Sequence, residues 1–215
     1  NTTINGSFVS DDHKAGVYIF GMVKDRDPFD RNEDGFSDLP KIESETVGFR
    51  GYYRTTDYSK ITAEYHHIRE FRRGGNNFNL PPHEADVAEE LNHTIDGGGL
   101  SYDWYTPDYK HRFSLYSSAQ AIKRKSYFGV EKDLDAYGYT NDITFIGGGQ
   151  YTLNLKHFLF MPSEITTGVE YNFNELDDYF ERIDRNMQQT IHITGAFLQN
   201  EWKSDKFSLL IGARL

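Results

Sequence analysis

Cysteine is absent from the 215-residue chain, which excludes a disulfide framework, cysteine-ligated zinc and a thiol nucleophile. Long apolar runs are missing as well. The best stretches, Val17–Val23 and Phe207–Ile211, are strand-sized and fall far short of the roughly 18 apolar residues of a membrane-crossing helix. Charged residues make up 26% of the chain and mean hydropathy is −0.69, too polar for a bundle of helices in lipid. Positive charge is in deficit. A net charge of −10 argues against nucleic acid, whose phosphates demand clusters of Lys and Arg, but suits divalent cations. The chain starts at Asn1 with no signal-like apolar segment, as expected after removal of a targeting peptide or in an excerpt. G-x-S-x-G, H-E-x-x-H and phosphate-binding glycine loops are all missing, so no catalytic residues are assigned. With no repeat, low-complexity tract or linker, a single domain over residues 1–215 is expected.

Aromatics are abundant at 15%, with fifteen Tyr and sixteen Phe, a profile that suits β structure. About ten strands are predicted, at residues 2–9, 15–24, 43–54, 60–71, 95–105, 110–124, 141–154, 163–174, 189–202 and 207–215. Most exceed the modal globular length of about five or six residues, and several reach the roughly 9–11 that a tilted strand needs to cross a bilayer. The connections alternate in kind. Short polar turns lie at DDHKAG, TTDYS, TPDYK, the LKHFLFMP region and KSDK; long loops lie at Asp25–Ile42, Arg72–Thr94, Lys125–Thr140 and Glu175–Gln188. That is the layout of an up-and-down antiparallel transmembrane β-barrel, with short turns on one side and long loops on the other.

Within the strands, Ile143, Phe145, Gly147, Gly149, Tyr151 and Leu153 share one face, as do Ile165, Thr167, Val169, Tyr171 and Phe173. Phe207, Leu209, Ile211, Ala213 and Leu215 repeat the pattern, while Glu170, Asn172 and Arg214 fall on the polar face. Aromatics gather beside four of the short turns, among them Tyr52, Tyr58, Trp104, Tyr109, Phe158, Phe160 and Trp202, as an interfacial girdle requires. Gly97–Gly99 and Gly147–Gly149 fit bends or close approaches.

Two loops concentrate candidate ligands. In DRDPFDRNEDGFSDLP, residues Asp30, Asn32, Asp34 and Asp38 follow a D-x-N-x-D-G-x-x-D spacing, with the Phe36 carbonyl as a further ligand. Ca²⁺ takes about six to eight oxygens, and alternate side chains of a coiled loop can converge on one centre. Lys41 stands where an EF-hand places its bidentate Glu, so a calcium loop between strands is expected. A solvated loop of Asx turns fits the same residues. In the second long loop, Pro81-Pro82 stiffens the chain, and His83–Leu91 is predicted to form a short helical turn. Arg72, Arg73, His83, Glu84 and Asp86 are its candidate ligand-binding residues. The basic knot Arg69, Arg72, Arg73 suits an anionic ligand or the phosphates of lipopolysaccharide. His66 and His67 point to opposite faces of a strand and cannot share one metal.

The runs VGFRGYYR, EYHHIREFRRGGNNFNLPPHEADVAEELNHTIDGGGLSYDWYT, HRFSLYSSAQAIKRKSYFG and EITTGVEYNFNELDDYF resemble the barrel of TonB-dependent outer-membrane receptors. The closing AFLQNEWKSDKFSLLIGARL is similar to that family's late-barrel hairpin. The resemblance implies a bacterial outer-membrane location and a larger barrel of about 22 strands filled by a plug, of which this chain supplies under half, with the plug absent. It further implies uptake of a scarce nutrient through the loops and lumen, driven by TonB through that plug, with a surface lipoprotein as a further partner. Within the family, the aspartate-rich early loop resembles that of the vitamin B12 receptors, which implies cobalamin first, then an iron–siderophore or haem. A ten-stranded outer-membrane protease-like barrel and a soluble calcium-dependent adhesion or carbohydrate-binding β domain remain as alternatives.

Overall fold

A computed structural model describes residues 1–215. Ten strands follow in order: β1 (Thr2–Val9), β2 (Ala15–Arg26), β3 (Lys41–Thr56), β4 (Ser59–Gly75), β5 (Val87–Tyr105), β6 (His111–Val130), β7 (Tyr137–Phe158), β8 (Met161–Phe180), β9 (Arg185–Lys203) and β10 (Ser208–Arg214). Each pairs antiparallel with its sequence neighbours in one sheet, and β1 and β10 each keep an unpaired edge. The expected strands are all present in the expected order. All-β, up-and-down architecture follows because each strand pairs antiparallel with the next, and most connections are too short for a crossover.

Register turns the alternation of single strands into two continuous faces. Leu153, Tyr151, Gly149, Gly147 and Phe145 stand opposite Ile165, Thr167, Val169, Tyr171 and Phe173. Thr167 and Val169 in turn meet Leu198 and Ala196, and Leu198 meets Ala213. On this face Leu100, Leu115, Val169 and Leu198 are each more than half exposed, whereas the buried set includes Ser44, Ser114, Ser126, Thr152, Thr166 and Asp178. The polarity is inside out: large apolar side chains project outward while hydroxyls and a carboxylate are covered. A soluble sheet does the reverse.

The strands run further than expected on the long-loop side. β6 and β8 have 20 residues each and β7 has 22, and the connections shrink to match. The fourth long loop reduces to a single 3₁₀ turn, Glu181–Ile183, closed by Asp184 in the left-handed region (φ 47°). Polar extensions such as Glu89 to Thr94 are strand because both neighbours continue the ladder, though their sequence lacks apolar alternation. The helical turn expected over His83–Leu91 is corrected in the same way. Only Pro82–Glu84 is 3₁₀, and from Val87 onward the chain pairs with β4 and β6.

Two of the short turns share one construction. In each, an aspartate oxygen accepts a hydroxyl two residues before and an amide two residues after. Ser10 Oγ (2.7 Å) and the Lys14 amide (3.1 Å) donate to Asp12; Thr106 Oγ1 (2.5 Å) and the Lys110 amide (3.1 Å) donate to Asp108. His13 and Tyr109 take the left-handed step, at φ 54° and 55°. The hydroxyl bond first, then the amide bond, holds both carboxyls below the ordinary aspartate range. Their contribution to turn stability is therefore complete above the unfolded value and lost as pH falls through the lower folded one. We expect the Lys14 and Lys110 amide resonances to titrate together with midpoints below about pH 4, and Asp12→Asn to abolish the transition at Lys14 alone.

Candidate functional site

The site is built where the first loop meets the tips of β4 to β6. Phe29 and Leu39 pair across the neck of that loop, and Arg26 donates to the Pro40 carbonyl at 2.9 Å. Beyond the neck the chain reaches over to β4: the Ser37 amide donates to the Gly75 carbonyl (3.0 Å), and the Gly75 amide donates to Ser37 Oγ (3.1 Å). Gly75 adopts φ +105°, and a Cβ there would lie 2.0 Å from the Val87 carbonyl oxygen. Only glycine fits this hinge. Between the loop and the strand tips lies a cavity of about 490 Å³ lined by Phe36, Asp38, Arg72, Glu89 and Phe128 among others. Its size falls within the range of small-molecule sites.

Two sets of residues singled out from the sequence are thus divided and recombined. Phe36 and Asp38 from the loop join Arg72 from β4 around one cavity. The other loop carboxylates turn to the loop's own amides. Asp30 accepts from Glu33 and Gly35 at 2.8 Å each, and Asp34 accepts from Phe36 at 2.9 Å and from Asn32 Nδ2 at 2.9 Å. Asp38 accepts from the Arg31 amide at 2.8 Å. Of the five metal candidates, Asp30, Asp34 and Asp38 thus accept backbone amides of the loop, Asn32 donates to Asp34, and no group of three His, Asp or Glu side chains converges there or elsewhere.

Period-two geometry splits the basic knot between the two faces of β4. Arg72 faces the cavity and lies 3.3 Å from Glu70. Arg73 projects to the other face, where it is 3% exposed, pairs with Glu90 at 3.1 Å, and donates to the Leu80 carbonyl under the second loop. Arg69 shares the Arg73 face but remains exposed. Because adjacent arginines point oppositely, the knot does not grip one anion. His83 and Asp86 are likewise structural pins: His83 Nδ1 bonds Tyr137 Oη at 2.7 Å, and Asp86 accepts from Asn76 Nδ2 at 2.9 Å. Glu84 is exposed near His83. Together they press Ala85 onto Ala88, Tyr127 and Ala136, a small buried cluster that meets the cavity at Ala88.

Below the cavity the polar face carries two side-chain networks. Asp178 accepts from Thr140 Oγ1 at 2.6 Å, lies 3.6 Å from Arg124, and pairs with Arg185. Deeper, Glu170 accepts from Tyr116 Oη and Arg214 Nη2, both at 2.8 Å. Tyr116 reaches it by lying across Gly148, where a Cβ would meet the phenol oxygen at 2.6 Å. The close approach expected at the glycine run is thus found at Gly148, which leaves a lane for a neighbouring strand's side chain. Glu170 and Arg214 carried a sequence signal, being charges on the polar face of long strands. The Asp178 network carried less, because Thr140, Asp178 and Arg185 fall in stretches that read as loop and only Arg124 closes an expected strand.

A sheet of ten long strands, apolar on one face and polar on the other and linked by alternating short and long connections, is an open up-and-down antiparallel sheet of the barrel-wall type. Neither a protein-family model nor a curated protein matches the chain. Among solved structures, the siderophore receptor PirA from Acinetobacter baumannii superposes with a TM-score of 0.76 over 99% of this chain at 13% identity. The chain spans 35% of that receptor's length.

Proposed function

We propose that this chain is part of the wall of a TonB-dependent outer-membrane receptor that takes up a small nutrient chelate, and that the rim cavity beneath the first loop is a portion of its capture site. The carrying observation is that cavity: an arginine, two aromatics and a glycine-hinged loop meet at the long-loop end of a barrel-type sheet. An iron–siderophore becomes the first candidate, since the neighbouring fold is that of a siderophore receptor, and cobalamin follows. The outward apolar face is the lipid face, and the polar networks line the lumen. A soluble β domain would bury residues such as Leu115 and Val169, which here are 60% and 59% exposed.

The test uses the full-length receptor in detergent. Arg72→Ala with Phe128→Ala is expected to weaken binding of a ferric siderophore about tenfold or more, consistent with loss of one charged and one aromatic contact. Unchanged affinity in the double variant would move the capture site elsewhere. Calcium remains a separate proposal for the first loop. Titration calorimetry on the same receptor should show a calcium heat that disappears in Asp30→Ala with Asp34→Ala, and identical heats in both proteins would leave the loop to its amide bonds alone.

A further inference from the structure

We propose that Glu89 is a specificity-determining residue of the rim cavity, and that it selects an iron chelate carrying a free ammonium group over neutral and anionic chelates of the same shape. The inference rests on the capture reading above and adds to it the charge of the ligand. Three charged side chains line the cavity: Asp38, Arg72 and Glu89. Arg72 lies 3.3 Å from Glu70, so its charge is balanced before any ligand arrives. The two carboxylates are not. Asp38 commits one oxygen, Oδ2, to the Arg31 amide, while its Oδ1 and the exposed Glu89 carboxylate have no hydrogen-bond or ion-pair partner. The arginines of the neighbouring strand ends are engaged elsewhere. Arg26 donates twice to the Pro40 carbonyl, Arg73 projects to the other face beside Glu90, Arg182 pairs with Asp133, and Arg124 and Arg185 share Asp178.

Register gives the cavity two poles. Glu89 is the direct cross-strand partner of Phe128 on one side and of Gly74 on the other, and Arg72 lies two positions along β4 from Gly74 on the same face. Directly paired side chains start about 5 Å apart and diagonal ones about 7–8 Å. One ligand can therefore meet Arg72 with the donor oxygens of its iron centre and Glu89 with an ammonium arm. The Phe128 ring, 6.4 Å from that of Phe180, forms the wall beside Glu89. A ring next to a free carboxylate suits an ammonium, which gains from both. The first loop adds a field of the same sign. Residues 27–40 carry five acids and one arginine, which draws cationic ligands to the rim and repels anionic ones. Rejection matters as much as attraction: a carboxylate arm placed at Glu89 would face an unpaired like charge.

The experiment measures binding to the full-length receptor in detergent by fluorescence quenching, with three ferric tris-hydroxamates that share one iron centre. They are ferrioxamine B, whose pendant amine is protonated, its neutral N-acetyl derivative, and its anionic N-succinyl derivative. Wild type is expected to bind the ammonium form about tenfold tighter than the acetyl form, and the succinyl form most weakly. In Glu89→Gln the ammonium and acetyl forms are expected to bind within about twofold of each other, whereas Glu89→Asp keeps the wild-type order. Glu64→Gln, the same change of charge on the same face of β4 toward the short turns, should leave the preference intact. Equal binding of all three forms by wild type overturns the charge selection and leaves the capture site in place. An ammonium preference that survives Glu89→Gln overturns the role of Glu89. Failure of all three chelates to bind wild type would instead overturn the capture reading itself.

Discussion

Arginine at Leu100 is expected to lower the folding stability of the full-length receptor in lipid by about 2–4 kcal/mol, the cost of a cation facing the middle of a bilayer. Leu100 lies midway along the apolar stretch of β5 and is 54% exposed. Its lateral neighbours on that face are Ala63 and Ser117. The comparison is arginine at Ser118, one residue along β6 from Ser117 and therefore on the polar face. There, under the proposed barrel reading, the side chain would meet the lumen, and a change under about 1 kcal/mol is expected. Denaturant titration of liposome-inserted protein, followed by tryptophan fluorescence, measures both. Equal costs at the two positions would remove the assignment of one face to lipid.

A second large effect is expected at Gly75. Valine there must adopt a positive φ that β-branched residues strongly resist, and its Cβ would overlap the Val87 carbonyl oxygen. The local cost is on the order of 3 kcal/mol, concentrated where the Ser37 contacts fasten the first loop to β4. Hydrogen exchange should accelerate in residues 36–40 and 76–86 while β6 to β9 stay protected, since each strand depends only on its neighbours. Ligand affinity should fall about tenfold or more with the loop unpinned. If affinity survives while the loop exchanges freely, the cavity does not contribute to capture.

Much of this architecture was legible in the residues. The faces of β7, β8 and β10 follow from alternation alone, and the short turns announce themselves through Asp, Ser, Thr and Lys. The strand tips were not legible, because ladder pairing there proceeds without apolar alternation. Asn92, Thr94 and Thr140 carry no periodic signal, and HEADVAEEL has the acidic start of a helix. The division of Arg69, Arg72 and Arg73 between faces follows from strict period two, but only once β4 is known to run through to Gly75. Loop geometry was the least accessible: nothing in a D-x-N-x-D-G spacing says whether carboxylates turn toward a cation or toward their own backbone.

The Tyr116–Glu170–Arg214 network bears on the mechanics of the wall. Ladder hydrogen bonds hold neighbouring strands together, yet a strand that slips by two residues recovers nearly all of them. β10 has only seven residues with which to specify its register. Arg214 bonded to Glu170, with Glu170 bonded to Tyr116, links β10 through β8 to β6 by contacts that any slip would break. The triad thus acts as a shear lock, fixing the last strand lengthwise against the sheet before any further strand is added to its free edge.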